Sequence, residues 1–260
     1  MYLADLTWRN AEDVLKKPET VVVIPVGSTE QHGDAGPLGT DWMIPEAFAQ
    51  RLNEQDPSIV ITPIIPFGIA THHTNFAGTI DLGLECMTMV MRRVMDSLFA
   101  HGARRFVVIN GHGGNDPAID QAALAIYRKG GLVSAINWWS IAPKLNKAWP
   151  TGHGDAQEIS ALMAIKPELI KPENFTESIV TPVAPDLPQV HINTVLFEGA
   201  PVKIVRDIAD TVSTGGLGGL DSSHATREWG VAMMDAMTVW IEHFVERFKT
   251  LPLPTHNEKN

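Results

Sequence analysis

The chain has 260 residues, of which 44% are hydrophobic and 19% charged, and this composition predicts a globular protein with one domain over residues 1–260. Its net charge of −10 argues against nucleic acid or an anionic membrane surface as the main partner. The single cysteine, Cys86, excludes an intrachain disulfide and fits a reducing cytoplasm, and its apolar neighbours predict a buried thiol. The first ten residues show no secretory signal, and no apolar stretch is long enough to span a membrane.

The predicted elements alternate between strands and helices along the chain. Residues 6–17 have the pattern of a short amphipathic helix with Thr7 as its N-cap. Apolar runs predict strands at residues 21–26, 59–61, 105–110 and 132–137. Further helices are predicted at residues 45–53, 84–101, 116–129, 156–165 and 225–248. The strand–loop–helix–strand order from residue 105 to 137 is a βαβ unit, which predicts an α/β fold with a parallel sheet.

Several segments lack a clear helix or strand pattern. Residues 138–155 are predicted to form a loop before the helix at 156. Residues 167–201 are rich in proline and receive no assignment, whereas the glycines of residues 211–219 predict a loop. The tail from Leu251 onward is expected to fray.

Carboxylate and imidazole side chains follow three of the predicted strands. Ligand sites in open α/β sheets form at the carboxyl ends of the strands, where such side chains can converge. Carboxylate oxygens together with imidazole nitrogens suit Zn, Mn, Fe or Co. If the loops converge, the side chains can hold two metal ions that share Asp41 and activate water near neutral pH. The candidates are Glu30, His32, Asp41, His112, His153 and Glu158.

Simpler interpretations of these residues remain open at this stage. The glycine-rich loop of residues 26–41 could be a solvated turn, and His112 and His153, each between two glycines, could be turn residues. Glu158 could only complement a helix dipole. Five other histidines do not directly follow a predicted strand and are expected to be ordinary surface or core residues: His72, His73, His101, His224 and His243.

Three ordered motifs resemble those of the creatininase family, or creatinine amidohydrolases. They are PVGSTEQHG with the Gly-Thr-Asp of residues 39–41, then HGARRFVVINGHGGN, then GHGDAQEIS. The resemblance covers at least residues 19–166. It implies a three-layer α/β/α sandwich with a mostly parallel central sheet, two divalent metal ions (Zn, Mn or Fe), and a homo-oligomer, usually a hexamer built as a trimer of dimers.

The resemblance also implies a role for each candidate metal ligand. Glu30 and His112 would bind one metal ion, and His32 and Glu158 would bind the other. Asp41 would bridge the two ions. A distance above about 6 Å between His112 and Asp41 would exclude such a shared metal pair.

Other positions would contact the substrate. By the same resemblance, His153 would transfer a proton to the leaving nitrogen, and Trp139 and Trp149 match aromatic residues that close over the substrate in creatininase. Creatininase has tyrosine and glutamate after the histidine of its NGH motif, whereas this chain has Gly113 and Gly114, which we expect to line the substrate site. NGHGGN resembles instead the broader family, which includes formamide deformylases, a peptidase of cofactor maturation, and hydrolases that open cyclic inositol-derived diketones.

These implications favour a cytoplasmic, metal-dependent hydrolase of a small polar substrate. The expected reaction is hydrolysis of a C–N bond in a cyclic or formyl amide by metal-activated water. One alternative is hydrolytic C–C ring opening of a cyclic diketone such as 3-dehydro-scyllo-inosose, whose enolate leaving group needs the same charge stabilisation. A second alternative is a metal- or ligand-binding protein without turnover, because Gly114 removes a catalytic carboxylate.

Overall fold

Four parallel strands form the central sheet. Their bounds are β1 Val21–Val26, β2 Val60–Ile61, β3 Arg105–Asn110 and β4 Leu132–Asn137. The strands lie in the order β2-β1-β3-β4, and Val22 of β1 has Val60 on one side and Phe106 on the other. The computed structural model describes residues 1–56, 58–214 and 216–255, and it confirms the predicted parallel sheet.

Helices cover both faces of this sheet. Those used below are α1 Trp8–Leu15, α2 Thr40–Gln55, α3 Gly83–Ala100, α4 Asp116–Tyr127, α5 Trp138–Leu145, α6 Ala156–Ile165 and α7 Arg227–Lys249. Successive residues of a strand point to opposite faces. Val21 and Val23 therefore pack against α2, α6 and α7, whereas Val22 and Ile24 pack against α3 and α4. The fold is α/β, with the sheet between two layers of helices.

The connections that follow β1 and β2 lie on opposite faces of the sheet. α2, which leads from β1 to β2, packs on one face, and α3, which leads from β2 to β3, packs on the other. In an open α/β sheet this reversal leaves a crevice at the carboxyl ends of two neighbouring strands. The neighbours here are β1 and β3, and the loops that follow them carry Glu30 and His112.

α2 begins at Thr40, five residues before its predicted start at Pro45. The backbone N–H of Met43 donates to the carbonyl of Gly39 over 2.9 Å, so the first turn forms ahead of the proline. Pro45 stands inside the helix, where it has no N–H to offer the carbonyl of Asp41. The earlier start places Asp41 in the first turn, close to the carboxyl edge of the sheet.

The segment after β4 is a helix where a loop was predicted. α5 follows β4 directly, and Trp138 at its start is fully buried. Ile141 and Ala142 lie three and four residues further on and pack against the same core, which is the spacing of an amphipathic helix. The predicted loop is therefore limited to residues 146–151 before the next strand.

Short strands outside the central sheet occupy much of the unassigned part of the chain. They are β5 Gly152–His153, β6 Ile179–Val180, β7 Gln189–His191, β8 Thr194–Phe197, β9 Ala200–Lys203, β10 Val212–Thr214 and β11 Leu217–Gly218. β7, β8 and β9 form an antiparallel sheet, β10 pairs with β6, and β11 pairs with β5. The loop prediction for residues 211–219 is therefore wrong at β10 and β11, whose partners lie far away in sequence; Gly215 lies outside the described residues.

The solvent-facing side of α3 contains Cys86, so the predicted buried thiol is wrong. Met87, Met91 and Met95 are fully buried at a spacing of four residues, and this stripe turns the preceding residue toward solvent. Within the described ranges, no helix has the length and apolar character needed to cross a bilayer. The predicted frayed tail has neither helix nor strand up to Thr255, and its remainder, residues 256–260, lies outside the described residues.

Candidate metal centre

The six candidate residues at the carboxyl edge of the sheet come together in one buried cluster. Each has an exposed fraction of 8% or less. Burial of an uncompensated carboxylate costs several kcal/mol, so three carboxylates require positive partners. The cluster contains Glu30 and His32 after β1, Asp41 in α2, His112 after β3, His153 in β5 and Glu158 in α6.

Asp41 faces one histidine with each of its carboxylate oxygens. Its Oδ1 lies 2.8 Å from His32 Nε2, and its Oδ2 lies 3.0 Å from His112 Nδ1. The second distance is far below the separation that would exclude a metal pair shared by Asp41 and His112. A carboxylate placed between two imidazoles in this way has the geometry of a bridging ligand.

The backbone orients both of these histidine rings. His32 Nδ1 lies 3.0 Å from the carbonyl oxygen of Glu30, and His112 Nε2 lies 2.8 Å from the carbonyl oxygen of Ile69. A carbonyl only accepts, so each of these nitrogens carries the hydrogen and donates it. The other nitrogen of each ring then points toward Asp41, as is usual for histidines that bind metals.

Two carboxylate oxygens of the cluster are buried without a hydrogen-bond partner among the described residues, namely Glu30 Oε1 and Asp41 Oδ2. His112 Nδ1 nevertheless lies 3.2 Å from the first and 3.0 Å from the second. The ligand atoms around one metal ion lie close together in this way, without hydrogen bonds between them. In each of three overlapping groups the ligand atoms lie within 4.8 Å of one another: Glu30/His32/Asp41, Glu30/His73/His153 and His32/His153/Glu158. These residues fit divalent metal ions.

The charges of the cluster favour a bound cation. Burial would lower the pKa of His32, but Asp41, Glu158 and Glu30 outweigh burial and raise this pKa to about 10. Burial is likewise outweighed at His112, where Glu30 and Asp41 hold the pKa well above its ordinary value. Burial would raise the pKa of Asp41, but the two histidines hold it well below its ordinary value. A metal ion would replace the protons that these rings otherwise retain.

The pKa values of His153 and Glu158 are shifted in the opposite directions from those of His32 and Asp41. Burial, together with the charges of His32 and His73, holds the pKa of His153 well below its ordinary value. Burial raises the pKa of Glu158 to about 7, although His32 opposes the shift. Strongly shifted groups of this kind mark functional sites.

His73 belongs to this cluster, although the sequence analysis predicted that it is an ordinary surface or core residue. It is the last residue of the short 3-10 helix Thr71–His73, is 3% exposed, and places Nε2 3.2 Å from Glu30 Oε1. Burial lowers its pKa to about 4. Its loop follows β2, so a signal did exist, but His73 lies well beyond the end of the strand predicted at residues 59–61. Of the other unassigned histidines, His72 lines the cavity described below, and three are exposed as expected: His101, His224 and His243.

Gln31 connects two of the histidines through its side-chain amide. The amide Nε2 lies 3.3 Å from His73 Nδ1 and 3.2 Å from His153 Nε2. The amide oxygen accepts from the backbone N–H of Gly33 over 2.8 Å. A single buried amide therefore contacts imidazoles from two segments that are far apart in the sequence.

A cavity of about 640 Å³ opens onto the cluster. Three of the four predicted substrate-contact residues line it, namely Trp139, Gly113 and Gly114. The antiparallel sheet of β7–β9 adds Thr194 and Lys203, two residues paired across β8 and β9. The cavity is large enough for a small ligand or the end of a short peptide.

Trp149 lies elsewhere. Its side chain is 9% exposed within the hydrophobic core on the α2, α6 and α7 side, and it is not among the residues that line the cavity. Its carbonyl oxygen accepts from Gln157 Nε2 over 3.2 Å. The placement of Trp149 supports a packing role and gives no support to the predicted substrate contact.

Gly114 has a steric reason to be glycine in this chain. A Cβ at this position would lie 2.3 Å from the carbonyl oxygen of Ile69 and 2.4 Å from His112 Nε2. These two atoms form the hydrogen bond that orients His112. Any side chain at position 114 would displace that ring, whereas a Cβ at Gly113 would come no closer than 3.6 Å, to Trp139.

The family model for creatininase, described as creatinine amidohydrolase, matches residues 4–245. This span includes every residue of the cluster.

Two curated relatives illustrate the range of reactions among similar proteins. The mycofactocin precursor peptide peptidase of Mycobacterium ulcerans is 32% identical over 177 residues, which cover 65% of this chain and 68% of the relative. The 3-dehydro-scyllo-inosose hydrolase of Thermotoga maritima is 24% identical over 276 aligned positions, which cover 98% of this chain and 86% of the relative.

A solved mutant creatininase described as the Zn-Zn type has a similar fold. It aligns with a TM-score of 0.75 and 22% identity, over 96% of this chain and 98% of the other.

Proposed function

Because the chain belongs to the creatininase family and is a metal-dependent hydrolase, we propose that it hydrolyses the C–N bond of a small amide at a binuclear metal centre. The observation that carries this proposal is Asp41, whose two oxygens face His32 and His112 at 2.8 and 3.0 Å. The bond would belong to a cyclic amide, a formyl amide, or the terminal part of a short peptide. The peptide is included because a relative that is 32% identical is named a precursor peptide peptidase.

The cluster supplies ligands for two ions. Glu30 and His112 would hold one, and His32 and Glu158 the other, with Asp41 shared between them. When bound, two divalent cations such as Zn, Mn or Fe lower the pKa of a water and polarise the carbonyl under attack. The solved creatininase of the Zn-Zn type supports two ions as the number to expect in this fold.

The protein's own side chains orient the substrate and move the proton. Trp139 and the backbone at Gly113 and Gly114 line the approach to the ligands and would hold the amide against them. His153 is buried, and burial with the charges of His32 and His73 holds its pKa below the ordinary value, so an imidazolium formed there would readily give its proton to the leaving nitrogen. Burial of the cluster strengthens each of these electrostatic interactions.

Metal content and turnover of purified protein test the proposal together. We expect about two ions per chain and turnover of at least one member of a panel of formyl amides, cyclic amides and short peptides. Glu30→Gln should lose one ion and slow turnover at least about 100-fold, because a metal stabilises the transition state by several kcal/mol. Glu168→Gln, on an exposed turn, should change neither value. Two bound ions without turnover of any amide or diketone would instead support the non-catalytic binding role.

A second reaction is favoured by the relative that opens 3-dehydro-scyllo-inosose, since its alignment covers 98% of this chain. The same ligands would stabilise an enolate leaving group during C–C cleavage. Turnover of a cyclic diketone with no turnover of amides would select this reaction. A carboxylic acid without released amine would be its product.

The cellular location and the assembly of the protein are further parts of the proposal. The single cysteine fits a reducing compartment, and we propose that the enzyme works in the cytoplasm. Family resemblance supports a homo-oligomer, with a hexamer as the expected form. Light scattering of the protein as it elutes from a size-exclusion column would measure the mass of the assembly directly.

A further inference from the structure

The four buried histidine rings of the cluster are close enough to exchange roles as ligands. The ring centroids of His32 and His153 are 4.5 Å apart, and those of His73 and His153 are 4.6 Å apart. Glu30 belongs both to a group with His32 and Asp41 and to a group with His73 and His153. Proximity alone therefore does not decide which imidazoles bind metal.

The rings differ in the partner of one nitrogen. His32 and His112 each face a backbone carbonyl, so the hydrogen lies on that nitrogen, and the nitrogen that faces Asp41 keeps its lone pair in a neutral ring. A lone pair directed at a carboxylate is the arrangement of a metal ligand, because a cation must lie between the two.

His73 and His153 face the amide of Gln31 instead. The orientation of this amide is set by Gly33, whose backbone N–H donates to Gln31 Oε1 over 2.8 Å. A flipped amide would point its NH₂ group at that N–H, so the NH₂ group lies on the side of the two rings. The NH₂ group can donate one hydrogen to His73 Nδ1 and the other to His153 Nε2, which lie 3.3 and 3.2 Å from Gln31 Nε2.

A nitrogen that accepts from an amide carries no hydrogen in a neutral ring. The hydrogen of His73 then lies on Nε2 and that of His153 on Nδ1. These atoms lie 3.2 and 4.0 Å from Glu30 Oε1, and neither makes a hydrogen bond to that oxygen. An imidazole nitrogen that carries hydrogen has no lone pair to give to a metal.

We propose that Gln31 is a positioning residue that places the hydrogen of His73 on Nε2 and that of His153 on Nδ1, and thereby keeps both rings from binding metal through these nitrogens. His32 and His112 are then the histidine ligands, and Glu30 is not drawn into a competing site with His73 and His153. The inference rests on the proposed metal centre for its consequence. Its direct test, however, uses metal-free protein and does not depend on turnover.

Nitrogen-15 NMR of the histidine rings in metal-free protein measures the position of each hydrogen. We expect hydrogen on Nε2 of His73 and on Nδ1 of His153, with the signals assigned through His73→Asn and His153→Asn. In Gln31→Glu the new carboxylate only accepts, so both tautomers should reverse. Gln31→Met, which neither donates nor accepts strongly, should leave a mixture. Gln55→Glu adds the same charge at an exposed helix end and should change nothing.

The consequence for the metals is measured on zinc-loaded protein by X-ray absorption, which counts imidazoles per zinc. We expect about one in the wild type and an increase in Gln31→Glu, where His73 and His153 offer lone pairs. Hydrogen on His73 Nδ1 or His153 Nε2 in the wild type, or unchanged tautomers in Gln31→Glu, would overturn the inference. If the tautomers are as expected but no zinc binds, the proposed metal centre fails and the role of Gln31 as a tautomer-setting residue stands.

Discussion

At the scale of single residues, the histidines of the cluster lie in opposite electrostatic environments. The imidazoles of His32 and His112 face carboxylates and have raised pKa values, whereas burial and neighbouring positive charge lower the pKa of His153. Environments that push pKa values apart in this way assign different roles to the same residue type. His153 is accordingly the candidate for proton transfer.

Replacement of His153 by asparagine should slow turnover without removing metal. We expect kcat to fall by about 10² to 10⁴-fold, the usual contribution of a positioned acid–base group. The metal content should equal that of the wild type, measured by elemental analysis of the same sample. Loss of an ion in this variant would instead make His153 a ligand.

The two tryptophans of the sequence pattern should behave differently. Trp139 lines the cavity, so Trp139→Ala should raise KM about tenfold with a smaller change in kcat, as expected for loss of uniform substrate binding. Trp149 lies in the core, so Trp149→Ala should lower the free energy of unfolding by about 3 to 5 kcal/mol. Steady-state kinetics and urea denaturation of both variants separate the two effects. An unchanged KM in Trp139→Ala would remove it from the substrate site.

At the scale of elements, the start of α2 positions the carboxylate of Asp41, which is proposed to bridge the two metal ions. The carbonyl of Asp41 has no helical N–H partner, because Pro45 occupies the position that would supply one. A Cβ at Gly111 would lie 1.8 Å from this carbonyl oxygen, and one at Gly27 would lie 2.3 Å from it. The loops after β1 and β3 are therefore pressed against the first turn of α2, which holds Asp41 between them.

Gly111→Ala should disturb this contact, and Gly113→Ala is its matched control. The added methyl group at position 111 meets backbone atoms, so α2 must shift, at a cost of about 1 to 3 kcal/mol in the free energy of unfolding. The shift should also lower the affinity for metal, because it moves Asp41. At position 113 the added methyl group meets only Trp139 at 3.6 Å and should be tolerated. Equal metal affinity in Gly111→Ala and the wild type would show that the contact does not position Asp41.

At the scale of the whole molecule, the central sheet was predictable and the site only partly so. The residue ranges of β1, β3 and β4 match their predictions, because each strand is marked by an unbroken run of mostly apolar residues in its own sequence. The pairing of β11 with His153 in β5 is non-local, and neither strand has a run long enough to mark it. His73 was missed because it lies in the loop well beyond the end of β2, where spacing along the chain does not show that it turns back to the cluster. The single domain over residues 1–260 stays a prediction.

An ion pair between Lys249 and Asp56 joins the end of α7 to the segment before β2. Burial opposes ionisation of Asp56, but hydrogen bonds from Lys249 and Ser58 outweigh burial and lower its pKa to about 2. A carboxyl group whose pKa is lowered by folding stabilises the protein above its unfolded pKa. That stabilisation is lost as the pH falls from about 4 to about 2.

Lys249→Met should therefore destabilise the protein at pH 7 and lose its effect in acid. The expected difference from the wild type is about 1 kcal/mol or less at pH 7, since the pair is partly solvated. This difference should shrink as the pH falls toward 2, as followed by urea denaturation at several pH values. Lys16→Met, which removes a more exposed pair with Glu12, is the control and should show a smaller effect. A difference that grows in acid would contradict this assignment.

The central claim is that Asp41 bridges two metal ions. Anomalous diffraction from crystals of zinc- or manganese-loaded protein tests it most directly. We predict two peaks about 3.5 to 4 Å apart, each within bonding distance of one oxygen of Asp41. One peak should lie beside Glu30 and His112, and the other beside His32 and Glu158. A single peak, or a peak held by Glu30, His73 and His153 without Asp41, would contradict the bridging role.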